Sequence, residues 1–212
     1  MTNPLLAHAI HFRDPRALWH VHTNYTDGQC SVEEIFELAA ALGFDFIAFI
    51  EHIRRQPGYS PRALQDEIAR YSDLHKIQAI VGFEAKLLRD GTVDVPRWGI
   101  DDAFILLAEH GDVASSQEEY LNILLQGLSD PAISGWAHPG LFALRKGWVF
   151  SEQELGRIMS VMQRGALVYE VNKRYRAPVP PLSDALAQAN LPFFIGIDFH
   201  REQDLEDLHG RT

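Results

Sequence analysis

The chain has 212 residues, 46% apolar and 23% charged, a length that suits one domain and a composition that excludes global disorder. Nineteen Lys and Arg against 29 Asp and Glu leave a net charge of −10, which argues against a groove for long DNA or RNA, where a basic excess is expected. The longest stretch free of Asp, Glu, Lys and Arg is the 14 residues Pro131–Leu144, broken by proline and glycine, against the ~20 apolar residues of a membrane span.

In chain order, residues 1–16 are an N-terminal extension without a basic-then-apolar signal pattern, and a single domain is expected over 17–212. Ala17–His22 is the first apolar run. Ser31 and Glu34 form a capping box ahead of Ile35, Leu38, Ala39 and Leu42 at helical spacing, and Gly43 supplies the stop. Phe46–Ile50 is the second run, Pro61 opens a helix through about Lys76, and Ala79–Glu84 is the third run. Lys86–Val95, with Asp90-Gly91 between apolar pairs, reads as an inserted hairpin. The remaining runs are Phe104–Ala108, Ala132–Ala137, Ala166–Val171 and Pro192–Ile197, with a helix opening at Ser151 and a proline-rich loop from Arg176 to Pro181. Seven runs starting about 30 residues apart, each followed by helix-like sequence, predict parallel strands in an α/β domain. A distorted seven-unit barrel is the first choice, and an open doubly wound sheet also fits the pattern.

Cys30 is the only cysteine, so there is neither an internal disulfide nor a cysteine zinc site; a reducing cytoplasm fits, and Cys30 should pack as a small apolar side chain. The unusual feature is ten histidines. Several end the apolar runs: His20 and His22 as His-Val-His, His52 after Glu51, His110 two residues past the fourth run, His138 after Ala137, and His200 after Asp198-Phe199. Strand alternation should turn His20 and His22 to one side. Asp27 and Glu84 fall at similar positions. In a parallel barrel these carboxyl-terminal ends share one rim, where such barrels carry their active sites. Six imidazoles and three carboxylates meeting there would be costly unless cations neutralise them, and nine donors suffice for two or three ions. His8, His11, His75 and His209 lie away from the strand ends and are expected on the surface.

These motifs, in this order, resemble the PHP (polymerase and histidinol phosphatase) family of metal-dependent phosphoesterases. His20-Val-His-Thr-Asn-Tyr-Thr-Asp-Gly28 is similar to its first motif, Glu51-His52 to the second, Gly82-Phe83-Glu84 to the third and Gly196-Ile-Asp-Phe-His200 to the last. The resemblance implies a distorted (β/α)7 barrel and a trinuclear site. His20, His22, Glu84 and Asp198 would hold one metal; Glu84 would bridge to a second with His110 and His138; Asp27, His52 and His200 would hold a third. Zinc, manganese and iron all suit mixed nitrogen and oxygen donors. Two metals so placed, held by Glu84, His20, His22 and Asp198, would bridge a hydroxide for attack on phosphorus. The chain departs from the family at Glu51, where aspartate is usual, and at Ile197 and Phe199, where small residues are usual. Glu51 is expected to orient a ligand, and the two bulky residues to reshape the pocket floor.

Phosphate needs cationic donors, and Arg54, Arg174 and Arg201 follow strand ends, as do Arg55, Lys173 and Arg176. Glu170 and Asn172 end the sixth run and could support ligands or substrate. The expected activity is hydrolysis of a small-molecule phosphomonoester in a shallow pocket that includes the hairpin. A phosphodiester or phosphoprotein substrate with the same metals is the alternative, followed by a non-catalytic metal-holding module.

Overall fold

The computed structural model describes residues 3–96, 100 and 103–205. Eight strands form one sheet: β1 (Ala17–Val21), β2 (Phe46–Ile53), β3 (Gln78–Leu87), β4 (Val93–Asp94), β5 (Phe104–Ala108), β6 (Gly135–Trp136), β7 (Val168–Asn172) and β8 (Phe193–Gly196). Seven of them run parallel in the order β1-β2-β3-β5-β6-β7-β8, and β4 pairs antiparallel with β3. Each of the seven apolar runs falls on one parallel strand, and β2, β3 and β7 extend beyond theirs. The run Ala132–Ala137 yields only two strand residues, because the turn at Asp130 carries the chain up to Gly135, where a Cβ would lie 2.7 Å from Val168 Cγ2.

The sheet closes through the segment after β8. Ile197 N–H donates to Trp19 C=O at 3.1 Å, Phe199 N–H to His20 C=O at 2.8 Å, and His22 N–H to Phe199 C=O at 2.9 Å. The open doubly wound sheet is therefore excluded, and the fold is a distorted α/β barrel. This closing segment explains where Ile197 and Phe199 go. Both pack in the cluster between barrel and helices rather than in a pocket floor, because their alternation partner Asp198 takes the inward position.

The helices are α1 (Val32–Leu42), α2 (Pro61–His75), α3 (Gln117–Leu128), α4 (Leu141–Lys146), α5 (Glu152–Arg164) and α6 (Leu182–Gln188). Ser31 with Glu34 and Ser151 with Glu154 both form complete capping boxes, and Gly43 ends α1 in the left-handed region at φ 79°. Their apolar faces cover the outside of the sheet in one large cluster that Cys30 joins. The β3–β4 hairpin forms as expected, with Gly91 at φ 78°. It does not line the cavity described below: Gly91 packs against Gln126, where a Cβ would meet Oε1 at 2.4 Å.

A second cluster, including Trp19, Phe46, Ile50, Phe104, Leu106 and Phe194, fills the barrel interior. A 3-10 helix, Pro4–His11, stops its amino-terminal end with Leu5, which is fully buried. Asn3 anchors this plug: its Nδ2 donates to the carbonyls of Ser134 (2.6 Å) and Ala166 (2.8 Å) while its Oδ1 accepts from Leu5 N–H. Three histidines expected on the surface are partly buried instead, because their rings find aromatic faces. His11 stacks on Phe46 with ring centroids 4.1 Å apart, His8 lies 6.2 Å from the same ring, and His75 stacks on Phe36 at 5.8 Å. His209 lies outside the described residues. Among the described residues no helix is long and apolar enough to cross a membrane.

Candidate metal centre

The interior cluster fills the barrel only part way, and the carboxyl-terminal mouth is polar. β1 delivers two imidazoles through a local irregularity. Its register with β2 slips between Trp19 and Val21, and His20 occupies the slip at φ 66°. Strict alternation would send Trp19 and His20 to opposite faces; the bulge lets Trp19 enter the interior cluster while His20 also turns inward. His22 follows on the same side, its ring centroid 5.0 Å from that of His20. His138 (φ 31°) and Asp198 (φ 56°) are also left-handed, so three of the nine candidate ligands sit in a backbone region that L-residues rarely adopt.

On the other strands regular geometry suffices. The parallel register places His52 of β2 opposite Glu84 of β3, and their side chains meet at 3.0 Å (Nδ1 to Oε2). Glu84 is the hub. Its Oε1 lies 2.8 Å from His138 Nε2 and 3.7 Å from His20 Nε2, and its Oε2 lies 3.3 Å from His110 Nε2. Asp198 Oδ1 is 3.4 Å from His22 Nε2 and 3.8 Å from His20 Nε2. Asp27 faces His52 Nε2 at 3.1 Å and His200 Nε2 at 3.5 Å. All nine residues singled out in the sequence thus surround one mouth. Among the described residues three donor sets are compact enough for an ion: His20, His22 and Asp198; His52, Glu84 and His110; His22, Asp27, His52 and His200. This grouping departs from the one the resemblance implied. His52 joins two sets because its two ring nitrogens face Glu84 and Asp27, and Glu84 stands between the sets, its Oε2 with His52 and His110 and its Oε1 toward His138 and His20.

The donors fit cations by their own chemistry. His20 Nε2, both nitrogens of His22 and His138 Nδ1 are buried without a hydrogen-bond partner, and buried His52 Nδ1 has only its 3.0 Å ionic contact with Glu84 Oε2. Buried polar atoms are seldom left this way, and lone pairs crowded among carboxylates are what a divalent ion satisfies. Supporting groups orient the donors. His20 Nδ1 lies 2.7 Å from Glu170 Oε1; a carboxylate only accepts, so this nitrogen carries the proton and Nε2 presents its lone pair inward. The Asp198 carbonyl accepts from Arg174 Nη1 at 2.9 Å, and His200 Nδ1 lies 2.9 Å from both that carbonyl and that guanidinium nitrogen. Glu51, fully buried, accepts from the Thr23 amide (2.6 Å) and from the hydroxyls of Thr23 and Thr26, bracing the turn that carries Asp27; it lies 3.9 Å from His22 Nδ1.

Without ions the cluster is an ionic network. Burial pulls the His20 imidazole down, but the Glu170 and Asp198 carboxylates more than reverse this, raising it to about 10. Burial acts likewise on His52, and the Asp27 and Glu84 carboxylates against its two ring nitrogens bring it to about 9. Burial pushes Glu84 up, yet His110, His138 and His52 together hold it well below the usual carboxylate range. Asp27 is lowered by its bonds to His200 and His52.

The cavity above this cluster encloses about 200 Å³ and is lined by Asp27, His52, Glu84, His110, His138, Tyr175, Asp198 and His200. His20 and His22 lie fully buried beneath. The arginines expected to hold phosphate are engaged elsewhere: Arg54 with Asp94 at 3.7 Å, Arg201 with Asp204 at 3.4 Å, and Arg174 with the Asp198 carbonyl and Asp204. Two residues were missed. Tyr175 belongs to the wall, but nothing in the sequence marked one tyrosine in a proline-bounded loop. Glu109 is buried and accepts from Tyr120 Oη (2.6 Å), Trp136 Nε1 (3.1 Å) and Phe142 N–H (3.3 Å), tying together the chain segments that carry His110 and His138. A carboxylate ending the apolar β5 run, directly before His110, was the available signal.

The fold and site are those of an α/β barrel whose carboxyl-terminal rim carries imidazole and carboxylate clusters able to hold metal ions. The PHP domain family model matches residues 19–173, and the chain belongs to that family. The DNA polymerase/3'-5' exonuclease PolX of Bacillus subtilis (strain 168) is 21% identical over 202 residues, covering 89% of this chain and 35% of that protein. A two-domain protein from Bacteroides vulgatus ATCC 8482, containing a predicted PHP-like metal-dependent phosphoesterase, superposes with a TM-score of 0.52 at 17% identity over 91% of this chain and 54% of its own. The chain thus spans about a third of the first relative and about half of the second.

Proposed function

We propose that this protein is a metal-dependent phosphoesterase that hydrolyses a phosphomonoester of a small molecule. The observation that carries the reading is the donor cluster itself: nine imidazoles and carboxylates around one small cavity, with four of its buried imidazole nitrogens unpartnered. Two to three divalent ions, zinc, manganese or iron, would supply Lewis acidity toward a phosphoryl oxygen and a water at neutral pH. His20, His22, Glu84 and Asp198 hold the deepest part of the site; His110 and His138 flank Glu84; Asp27, His52 and His200 form the outer part. Glu170 keeps the His20 ring in the tautomer that offers Nε2. The interior aromatic cluster beneath excludes water from below. A cavity of about 200 Å³ and a net charge of −10 favour a compact substrate over a long polyanion. The single cysteine fits a cytoplasmic setting.

A phosphodiester substrate is the second reading, favoured by the similarity to a protein named as an exonuclease. The test is phosphate or phenolate release from 4-nitrophenyl phosphate and from bis(4-nitrophenyl) phosphate by protein loaded with manganese or zinc. Turnover of the monoester, lost in His20→Ala and Asp198→Asn, supports the proposal. Turnover of the diester alone selects the second reading, and undiminished turnover in both variants removes these residues from the site.

A further inference from the structure

With ions in the donor cluster, almost the whole cavity wall is committed to them. Seven of the eight residues lining it are candidate ligands, and the eighth is Tyr175. Among the described residues the Tyr175 hydroxyl has no hydrogen-bond partner, while its backbone N–H donates to Asn172 Oδ1 at 2.9 Å. Burial, and after it the Asp198 and Glu84 carboxylates, push the phenol up against the opposing Arg174 and Arg145, so the hydroxyl lies in the field of two of the cavity walls.

The side chain is held from several directions. Its ring meets the His138 ring edge-on, with centroids 5.6 Å apart, and the guanidinium carbons of Arg145 and Arg174 sit 5.4 and 5.8 Å from its centre. The loop that carries it is tied to two strand ends. Asn172 and Ala177 pair through their backbones in both directions at 2.8 and 3.2 Å, Lys173 N–H donates to Gly196 C=O at 2.8 Å, and Arg174 Nη1 donates to Asp198 C=O at 2.9 Å. A hydroxyl on a ring fixed in this way loses little freedom when it binds a ligand. The chemistry of the wall gives it a distinct part. Carboxylates only accept, and an imidazole nitrogen bound to a cation has no proton to offer, whereas a phenol O–H donates. A phosphoryl oxygen is a charged acceptor, so the bond between them is of the stronger kind.

Resting on the phosphoesterase reading above, we propose that Tyr175 is a substrate-contacting residue of this site, its hydroxyl donating a hydrogen bond to a phosphoryl oxygen of the bound ester. Two readouts test it. Inorganic phosphate is titrated calorimetrically into metal-loaded wild type, Tyr175→Phe and Tyr169→Phe, with metal content measured in each. Tyr175→Phe keeps the ring and removes only the hydroxyl, so phosphate should bind about tenfold more weakly, the scale of a lost hydrogen bond to a charged group. Tyr169 packs outside the barrel against Phe193, and its variant should match wild type. Metal content should be equal in all three. With 4-nitrophenyl phosphate, Tyr175→Phe should raise KM by a similar factor and leave kcat nearly unchanged. A role confined to packing would move neither phosphate affinity nor KM, because the ring is retained.

Equal phosphate affinity in Tyr175→Phe and wild type overturns the assignment whatever the hydrolysis shows, and so does a wild type that binds no phosphate. Loss of metal in Tyr175→Phe overturns it as well, since the hydroxyl would then act on the ions. Phosphate binding that depends on the hydroxyl, without turnover by any protein, supports the assignment and counts against the phosphoesterase reading instead.

Discussion

Glu170 Oε1 and His20 Nδ1 lie 2.7 Å apart, and both side chains are fully buried. The contact decides which nitrogen of His20 faces the centre, and the second oxygen of the same carboxylate fixes the His138 backbone N–H at 2.7 Å. Two candidate ligands from opposite sides of the barrel therefore depend on one side chain. Room for it comes from Gly196, where a Cβ would lie 1.9 Å from Glu170 Oε1.

Glu170→Ala should weaken metal binding ~10–100-fold, the range seen when a group supporting a ligand is removed. Gly196→Ala should produce the same loss by displacing the carboxylate. Competition against a chromophoric chelator measures both; wild-type affinity in Glu170→Ala would deny it this role.

The metal-free protein should show a distinctive pH profile. His20 and His52 are raised from 6.5 to about 10 and about 9 by the carboxylates around them, so the stability they contribute is full below pH 6.5 and is lost as pH rises through 9 to 10. Glu84 is lowered, so its contribution is present above the ordinary carboxylate range and is lost on acidification. Thermal unfolding of chelator-treated protein should therefore give its highest Tm near pH 5 to 6.5, declining toward pH 10. Loaded protein should lack the alkaline decline, since bound imidazoles need no proton, and should lose its metal on acidification instead. A metal-free Tm that is flat from pH 6 to 10 would contradict the network.

The convergence of the nine candidate residues was legible because chemistry and position coincide at strand ends: histidines in an otherwise apolar run have few structural uses, and a parallel barrel gathers such ends by topology alone. The finer grouping was not, because it depends on geometry the pattern does not contain. His52 faces both Glu84 and Asp27 only because β2 and β3 stay in register to their ends, and His20 turns inward only through a bulge. Ile197 and Phe199 were misplaced for a related reason. Bulky residues flanking an inward ligand point outward, and the backbone between them closes the barrel. The arginines were hardest to judge, since the carboxylates that engage them come from distant segments.

The plug at the opposite end should matter for stability and not for the site. Asn3→Ala removes two hydrogen bonds to buried carbonyls and the cap of the 3-10 helix, at a cost of ~1–3 kcal/mol. Tm should fall by several degrees while metal affinity stays at the wild-type value. Loss of metal in this variant would show that the two ends of the barrel are coupled.

The most direct test of the central claim is metal content by elemental analysis after reconstitution with manganese or zinc and removal of the excess. The donor cluster predicts two to three ions per chain, falling in His20→Ala and in Asp198→Asn. A folded wild-type chain that retains less than one ion would contradict it.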